Sequence, residues 1–306
     1  MRTLLTSIAA ICIASSSVFA QQSATSATEI QKSLQQKSQL AKNSLVKNIP
    51  FENIGPTVMS GRVVDIDVNP NNTTEFYVGY ASGGLWYTNN NGTTFTSVFD
   101  NAPTQNIGDI AVDWKEGTIW VGTGENNSSR SSYAGIGILK SSDKGKTWEN
   151  VGLLDSHHIG RILINPNNPD EVIVGVLGHL YSQNKERGIY RTTNGGKTWK
   201  RTLFINKATG IIDIAQAPNN FNVLYAASWE RDRKAWHFEG NGSKSAIYKS
   251  TNAGKSWKKV SKNNGFPTGN GVGRIGLAVF DENTVYAFHD SQFRRKNEKK
   301  KKSTSK

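Results

Sequence analysis

The chain has 306 residues, a single cysteine and a net charge of +13, and these features bound the class of protein. It is long enough for one large or two ordinary domains. The one cysteine, Cys12, excludes a disulfide framework, so stability must come from a hydrophobic core. Much of the charge is confined to residues 294–306, which hold eight basic residues and one glutamate. Such a tail is usually solvated, so we predict no nucleic-acid partner.

The first twenty residues have the pattern of a secretory signal peptide, with Arg2, an apolar stretch and a small residue at Ala20. We predict cleavage near Ala20 and a secreted, periplasmic or cell-surface location. Residues 21–50 are rich in Gln, Ser, Lys and Ala, and we predict a polar linker or an N-terminal helix lined by Ile30, Leu34 and Leu45. No later stretch is apolar enough to predict a membrane span.

Four copies of one turn divide the region that follows, residues 51–290, and a basic, disordered tail is predicted for residues 291–306. The pattern is hydroxyl, any, Asp or Asn, any, Gly, any, hydroxyl, aromatic. The copies begin at Thr88, Ser141, Thr192 and Ser250, with spacings of 53, 51 and 58 residues. Hydroxyl and Asp/Asn side chains bond nearby backbone amides, and glycine accepts a positive φ, so each copy predicts a hairpin turn. We expect the closing aromatic to pack against its own hairpin.

The sequence around each turn repeats in the same order. An alternating apolar strand, a turn rich in Asn, Pro and Gly, a second strand and a variable loop precede the third strand, the repeated turn and a short fourth strand. Four antiparallel strands in about fifty residues indicate a propeller blade. The predicted fold is all-β, with four complete blades and a partial fifth that ends near Asp290. We interpret it as part of a larger propeller whose open edges can self-associate; the alternative is a small closed propeller.

Blade topology places the repeated turns on one face and the long, irregular loops on the other, and function usually lies in such loops. There, aromatic side chains offer flat surfaces and polar side chains offer hydrogen bonds, which suits a glycan or peptide ligand. The candidate binding residues on this loop-rich face are Asn126, Arg130, Tyr133, His157, His158, His179, Tyr181, Arg187, Trp229, Arg231 and Trp236.

Glu125 and Glu230 are the candidate catalytic residues, because glycoside hydrolysis needs two carboxylates. The alternative is that they form ion pairs with Arg130 and Arg231 and fix the loops. His157 and His158 together with His179 could supply metal ligands, but adjacent histidines do not easily face one ion, and we predict no metal and no cofactor.

The repeated turn resembles the Asp-box of bacterial-neuraminidase-type repeats, found in sialidases, sortilin-type receptors and xyloglucan-cleaving hydrolases. With residues 53–56, 60–62, 122–125 and 178–180, the chain is similar to exported bacterial proteins of the sortilin N-terminal-like or glycosyl hydrolase type. The resemblance implies a secreted propeller without an established activity. Xyloglucan-cleaving enzymes place a catalytic Asp before a Gly-Gly pair, where this chain has Ala81 and Ser82. We therefore favour ligand binding, with a sialidase-like or xyloglucanase-like hydrolase as the alternative.

Overall fold

The computed structural model describes residues 24–49, 51, 61–261 and 265–293, so the predicted signal peptide and most of the basic tail lie outside the described residues. The chain divides into two compact units after residue 50. The first contains helix α1 (Ala27–Asn43). Its start is a capping box, in which Ser26 Oγ accepts from Glu29 N and the Glu29 carboxylate accepts from Ser26 N. No residue of α1 is buried, which agrees with its polar composition.

The second unit is a series of antiparallel sheets that follow one another in chain order. Blade 1 contains β1 (Val63–Val68), β2 (Phe76–Tyr80), β3 (Gly84–Thr88) and β4 (Thr96–Ser97). Blade 2 contains β5 (Ile107–Asp113), β6 (Thr118–Thr123), β7 (Ile138–Ser141) and β8 (Glu149–Asn150). Blade 3 contains β9 (Ile159–Asn165), β10 (Asn168–Val176), β11 (Gly188–Thr192) and β12 (Lys200–Leu203), and a 3-10 helix (Leu154–Ser156) precedes it.

Blade 4 contains β13 (Thr209–Ala217), β14 (Asn220–Glu230), β17 (Ile247–Ser250) and β18 (Lys258–Lys259). Its long loop holds a hairpin that the sequence did not predict, formed by β15 (Asp232–Arg233) and β16 (Phe238–Glu239). The partial fifth blade consists of β19 (Val272–Val279) and β20 (Val285–Ser291). The predicted all-β architecture of four full blades and two further strands is confirmed.

Four hydrophobic clusters fill the spaces between successive blades and form the core of this unit. Side chains alternate between the two faces of a strand, so one strand contributes to two clusters. In β6, Ile119 and Val121 pack toward blade 1, whereas Trp120 packs toward blade 3. All three side chains are fully buried. Each inner blade therefore depends on both of its neighbours.

The repeated turns have the local hydrogen bonds that their sequence predicts. In the second copy, Ser141 Oγ accepts from Gly145 N at 2.8 Å and Asp143 Oδ1 accepts from Thr147 N at 2.9 Å. The corresponding bonds in the other three copies measure 2.9–3.1 Å and 3.0 Å. The glycine has a positive φ between 71° and 89° in all four turns.

In three of the four turns the closing aromatic reaches the preceding blade, a contact that the sequence did not predict. Trp148 Nε1 donates to the carbonyl of Val98 at 3.0 Å. Trp199 Nε1 donates to the carbonyl of Val151 at 2.7 Å, and Trp257 Nε1 donates to the hydroxyl of Thr202 at 3.1 Å. Phe95, in the first blade, packs against a phenylalanine ring of its own blade. An indole ring is long and carries a donor, so tryptophan here joins one blade to the next.

The first strand of each blade is its inner strand. Aspartates on inner strands form a second series of links between blades, which the sequence did not predict. At one equivalent position of β1, β5 and β13, a carboxylate oxygen accepts a backbone N–H of the next inner strand: Asp65 from Ile110 at 3.3 Å, Asp109 from Ile162 at 2.6 Å and Asp213 from Leu277 at 2.8 Å. Blade 3 has Arg161 at this position, and its guanidinium lies 3.1–3.5 Å from the same three carboxylates. Asp109 contributes most to raising the pKa of Arg161. The inner strands line a cavity of about 510 Å³.

The two ends of the series of blades are open. Ile66 and Val68 of β1 and Tyr286 and Phe288 of β20 are exposed, although equivalent side chains of the inner blades are covered by a neighbour. Within the described residues, β1 and β19 do not pack extensively against each other. The predicted open blade edges are therefore present in this part of the chain.

Candidate functional site

The long loops lie on the face opposite the Asp-box turns, because the second and third strands of each blade are joined there. They span residues 124–137, 177–187 and 231–246, and the segment 151–158 joins blade 2 to blade 3. Gly124 opens the first loop with a φ of 85°, and a Cβ there would overlap the carbonyl oxygen of His157. Only glycine fits this contact, which fixes one loop against another.

Glu125 is held by an arginine from another blade. Its carboxylate accepts two hydrogen bonds from Arg62, at 2.7 and 2.5 Å, and one from Asn127 Nδ2 at 3.0 Å. Glu125 is 1% exposed. Burial raises its pKa, but the hydrogen bonds from Arg62, Asn127 and Ser132 outweigh burial and leave the pKa below its ordinary value. The carboxylate is therefore an anion with fixed partners, and its arginine is Arg62 rather than the expected Arg130.

Further hydrogen bonds connect the loop that carries Glu125 to the other blades. Arg274 of β19 donates to Asn127 Oδ1 at 2.8 Å and to Asn126 Oδ1 at 3.4 Å. Asn126 Nδ2 donates to the Gly108 carbonyl at 2.8 Å. His158 Nδ1 lies 2.8 Å from the carbonyl oxygen of Glu125. Asn126 and His158, both predicted to bind ligand, are buried and link blades.

Arg187 and Arg231 are also buried, and both organise loops. Arg187 donates to Asn184 Oδ1 and to three backbone carbonyls, including that of His179, at 2.8–3.2 Å. Burial lowers the pKa of Arg187 to about 10. Arg231 donates to Ser128 Oγ and to the Gly178 carbonyl. Burial, with Arg187 and Arg274 nearby, lowers its pKa well below the ordinary value.

The second candidate catalytic residue, Glu230, has partners of its own. Its carboxylate accepts from Lys244 N at 2.9 Å, and its backbone N–H donates to Ser245 Oγ at 3.0 Å. Glu230 pairs with the loop that follows the β15–β16 hairpin, and not with Arg231. Within the described residues, Glu125 and Glu230 share no hydrogen-bond partner.

Three of the predicted aromatic residues lie at the surface of the loop-rich face. Tyr133, Tyr181 and Trp236 are 58%, 46% and 84% exposed. The Tyr181 hydroxyl donates to the Arg130 carbonyl at 3.1 Å, which holds the loop of blade 3 to the loop of blade 2 that carries Tyr133. Trp229, in contrast, is buried and donates its indole N–H to a carbonyl within its own loop. It is part of the scaffold.

Three side chains that carry metal-ligating atoms lie together where the segment 151–158 meets the loop of blade 3. Asp155, His157 and His179 each offer one such atom, and these atoms lie within 4.8 Å of one another. The two imidazole rings stack at a centroid distance of 3.7 Å. Burial, together with His179, lowers the pKa of His157 to about 4, so the ring is neutral at pH 7. His237 does not join this group and lies 3.7 Å from Glu239 on the β15–β16 hairpin.

Sequence reasoning missed the residues that connect distant parts of the chain. Arg62, Asn127 and Arg274 lie far apart in the sequence, and no local pattern places them together. The spacing of Asp155 and His179 likewise does not predict their contact. The Asp that recurs at the same position of β1, β5 and β13 was the available signal for the group that Arg161 forms with Asp65, Asp109 and Asp213.

A groove of about 620 Å³ lies on the opposite face, between the second and third repeated turns. Trp148 and Trp199 line it, and each of these side chains already bonds the preceding blade. The groove thus follows from the repeat itself. No helix among the described residues has the length and apolar character needed to cross a membrane.

The repeated blades, the Asp-box turns and the loop-rich face define this protein as an Asp-box β-propeller. Residues 137–302 match the sequence profile of Sortilin-Vps10, described as sortilin, neurotensin receptor 3. This match covers more than half of the chain, and the chain belongs to that family.

Similar proteins include hydrolases that act on xyloglucan. A probable oligoxyloglucan-reducing end-specific xyloglucanase of Neosartorya fischeri is 28% identical over 161 residues, which cover 49% of this chain and 18% of the relative. The chain thus spans less than a fifth of that relative's length. An ancestral GH74 enzyme is similar in structure with a TM-score of 0.54 and 21% identity, over 72% of this chain and 28% of that enzyme. The GH74 xyloglucanase from Xanthomonas campestris has a TM-score of 0.51 and 14% identity, over 74% and 35%. These structures support the propeller fold.

Proposed function

We propose that this chain is an exported propeller that binds an extended oligosaccharide of the xyloglucan type on its loop-rich face. The observation that carries the proposal is the exposure of Tyr133, Tyr181 and Trp236 on loops whose polar side chains are held in place. Flat aromatic rings with a polar edge suit sugar rings, which have an apolar face and a rim of hydroxyls. The xyloglucanases among the similar proteins direct the choice of glycan.

Binding is favoured over hydrolysis because neither candidate carboxylate is placed as a general acid. A general acid needs a raised pKa, whereas that of Glu125 is lowered by Arg62 and Asn127. Glu230 accepts a backbone hydrogen bond from its own loop. The carboxylates thus fix the loops that present the aromatic side chains.

The test is calorimetric titration of the chain with xyloglucan oligosaccharides. We expect Tyr181→Ala and Trp236→Ala to weaken binding about tenfold each, which corresponds to about 1.4 kcal/mol per lost stacking contact. Phe280→Ala is the matched control, because Phe280 is exposed but lies in the turn between β19 and β20. Equal affinity in all variants, or binding of extended peptides alone, would contradict the proposal.

Turnover by the same chain separates binding from the alternative, a glycoside hydrolase. We expect no release of reducing sugar from xyloglucan by the wild type, and retained affinity in Glu230→Gln. Release that disappears in both Glu125→Gln and Glu230→Gln would instead assign hydrolysis to this carboxylate pair.

A further inference from the structure

The ligating atoms of Asp155, His157 and His179 have the separations of a metal site. Asp155 Oδ1 lies 3.7 Å from His157 Nε2 and 3.3 Å from His179 Nε2. A tetrahedral Zn²⁺ ion with ligands at about 2.0–2.2 Å places those ligands roughly 3.3–3.6 Å from one another. The third pair, the two imidazole nitrogens, lies within 4.8 Å. The two rings stack at a centroid distance of 3.7 Å, so they must turn apart for both nitrogens to face one ion.

The surrounding structure holds the backbone of both histidines in position. The carbonyl of His157 accepts from Gly135 N at 2.7 Å. The backbone of His179 is fixed on both sides, because its N–H donates to Asn184 Oδ1 and its carbonyl accepts from Arg187. A zinc-bound histidine usually has a hydrogen-bond partner at its second ring nitrogen. His179 meets this condition, with Nδ1 3.1 Å from Ser182 Oγ.

The backbone at His157 has an unusual conformation that turns its ring toward His179. Its φ is 56° and its ψ is −43°, a region that residues other than glycine rarely adopt. Such conformations persist where the surrounding structure imposes them and often occur at functional sites. The next residue, His158, points toward the Glu125 carbonyl instead. The two adjacent histidines thus face different partners, which leaves His157 free to join Asp155 and His179.

We propose that Asp155, His157 and His179 bind one Zn²⁺ ion through three protein ligands, with a fourth position open to water or to an oxygen of a bound ligand. The side chains are 34%, 13% and 12% exposed, so the site is concave and reachable from solvent. Two imidazoles and one carboxylate favour Zn²⁺ over Mg²⁺ or Ca²⁺, which prefer oxygen ligands. The site joins the segment 151–158 to the loop of blade 3. It is independent of the proposed glycan binding.

The test is titration of ZnCl₂ into the untagged chain after treatment with a chelator. We expect one ion per chain, a rise in the midpoint of thermal unfolding with Zn²⁺, and no response to Mg²⁺ at the same concentration. Asp155→Asn and His179→Gln are expected to weaken Zn²⁺ affinity at least about tenfold. Cobalt substitution provides a spectroscopic check, because Co²⁺ held by nitrogen and oxygen in a tetrahedral site absorbs visible light far more strongly than aqueous Co²⁺.

The matched control is His237→Ala, because His237 lies beside Glu239 at an exposed position of the same face. This variant is expected to bind Zn²⁺ like the wild type. Asp155 is partly exposed, so Asp155→Asn should fold, and unfolding without metal verifies this. The proposal is overturned if the wild type binds no stoichiometric Zn²⁺, or if affinity survives Asp155→Asn and is lost in His237→Ala.

Discussion

The two faces of the blades are held together by contacts of very different range. In an Asp-box turn, Asp143 bonds Thr147, four residues away. On the loop-rich face, Arg62 bonds Glu125 across 63 residues, and Arg274 reaches Asn127 across 147 residues. The turns can therefore form within one blade, whereas the loops take their shape only when several blades have assembled. This difference makes the loop-rich face the more vulnerable of the two.

The largest effect is expected from Arg187→Met, which removes the organiser of the blade 3 loop. Hydrogen bonds to one buried and three partly buried acceptors are lost, and a charge-bearing side chain is replaced by an uncharged, unbranched one. We expect the free energy of unfolding to fall by about 3–5 kcal/mol, because four acceptors lose their donor at once. Denaturant unfolding measures the change.

The control for this variant is Lys207→Met, at an exposed position of the next segment. It removes a long cation without removing a buried bond, so a change within about 0.5 kcal/mol is expected. If the two variants were equally stable, Arg187 would not hold the loop. The loop-rich face would then not be the more vulnerable of the two faces.

The same difference in range decides what the sequence could predict. Asp143, Gly145 and Thr147 predicted their turn correctly because all the interacting groups lie within one octapeptide. The period of the turns then predicted the blades and their number. The loop-rich face was predicted as a location, but the burial of several of its candidate residues was not. Arg187, Arg231 and Trp229 belong to the scaffold, because burial depends on contacts between blades that no local pattern encodes.

The positions of Asp155, His157 and His179 also could not be predicted from the sequence. His157 and His158 are neighbours in the sequence, and their opposite orientations follow from the positive φ of His157. Spacing alone could not reveal that turn of the backbone, and it could not bring Asp155 beside His179. The aspartates of the inner strands recur in the sequence, but in an alternating strand pattern they read as ordinary polar positions. Their bonds to the neighbouring strand cannot be predicted from the pattern of one strand.

Two aspartates, Asp67 and Asp143, are expected to change the stability of the protein with pH in opposite directions. Burial raises the pKa of Asp67 to about 6, and its bonds to Trp114 and Val112 oppose the shift. Asp143 is partly exposed, and its bonds with Thr147 lower its pKa to about 2. Between about pH 4 and 6 the folded state keeps the Asp67 proton that the unfolded state releases, so this contribution to stability is lost as pH rises through 6. The Asp143 contribution is present above about pH 4 and is lost as pH falls toward 2.

The measurement is the free energy of unfolding against pH for Asp67→Asn and Asp143→Asn beside the wild type. Relative to the wild type, Asp67→Asn is expected to gain about 1–3 kcal/mol between pH 4 and pH 7. Asp143→Asn is expected to lose its disadvantage below pH 3. Asparagine already occupies this position in the other three turns, so the variant should fold. Parallel curves for both variants would show that the two carboxylates do not differ in this way.

The smallest effect tests whether the indole of an Asp-box joins blades. Trp199→Phe removes the bond from Nε1 to the Val151 carbonyl, in the segment that follows the preceding blade, at 2.7 Å. Its matched control, Trp86→Phe, removes a bond of 2.8 Å to the carbonyl of Gly83, only three residues away. Each change should cost about 1 kcal/mol, because one carbonyl loses its donor.

The two tryptophan variants should differ in where the lost stability appears. Hydrogen exchange is expected to quicken on both sides of the blade 2–blade 3 interface in Trp199→Phe, because that bond couples two sheets that share one hydrophobic cluster. In Trp86→Phe, faster exchange should stay within the strands next to Gly83. If exchange in Trp199→Phe quickened in blade 3 alone, the indole would act as a local part of its turn. The apolar clusters, the inner-strand aspartates and the arginine bonds of the loop-rich face would then hold the blades together.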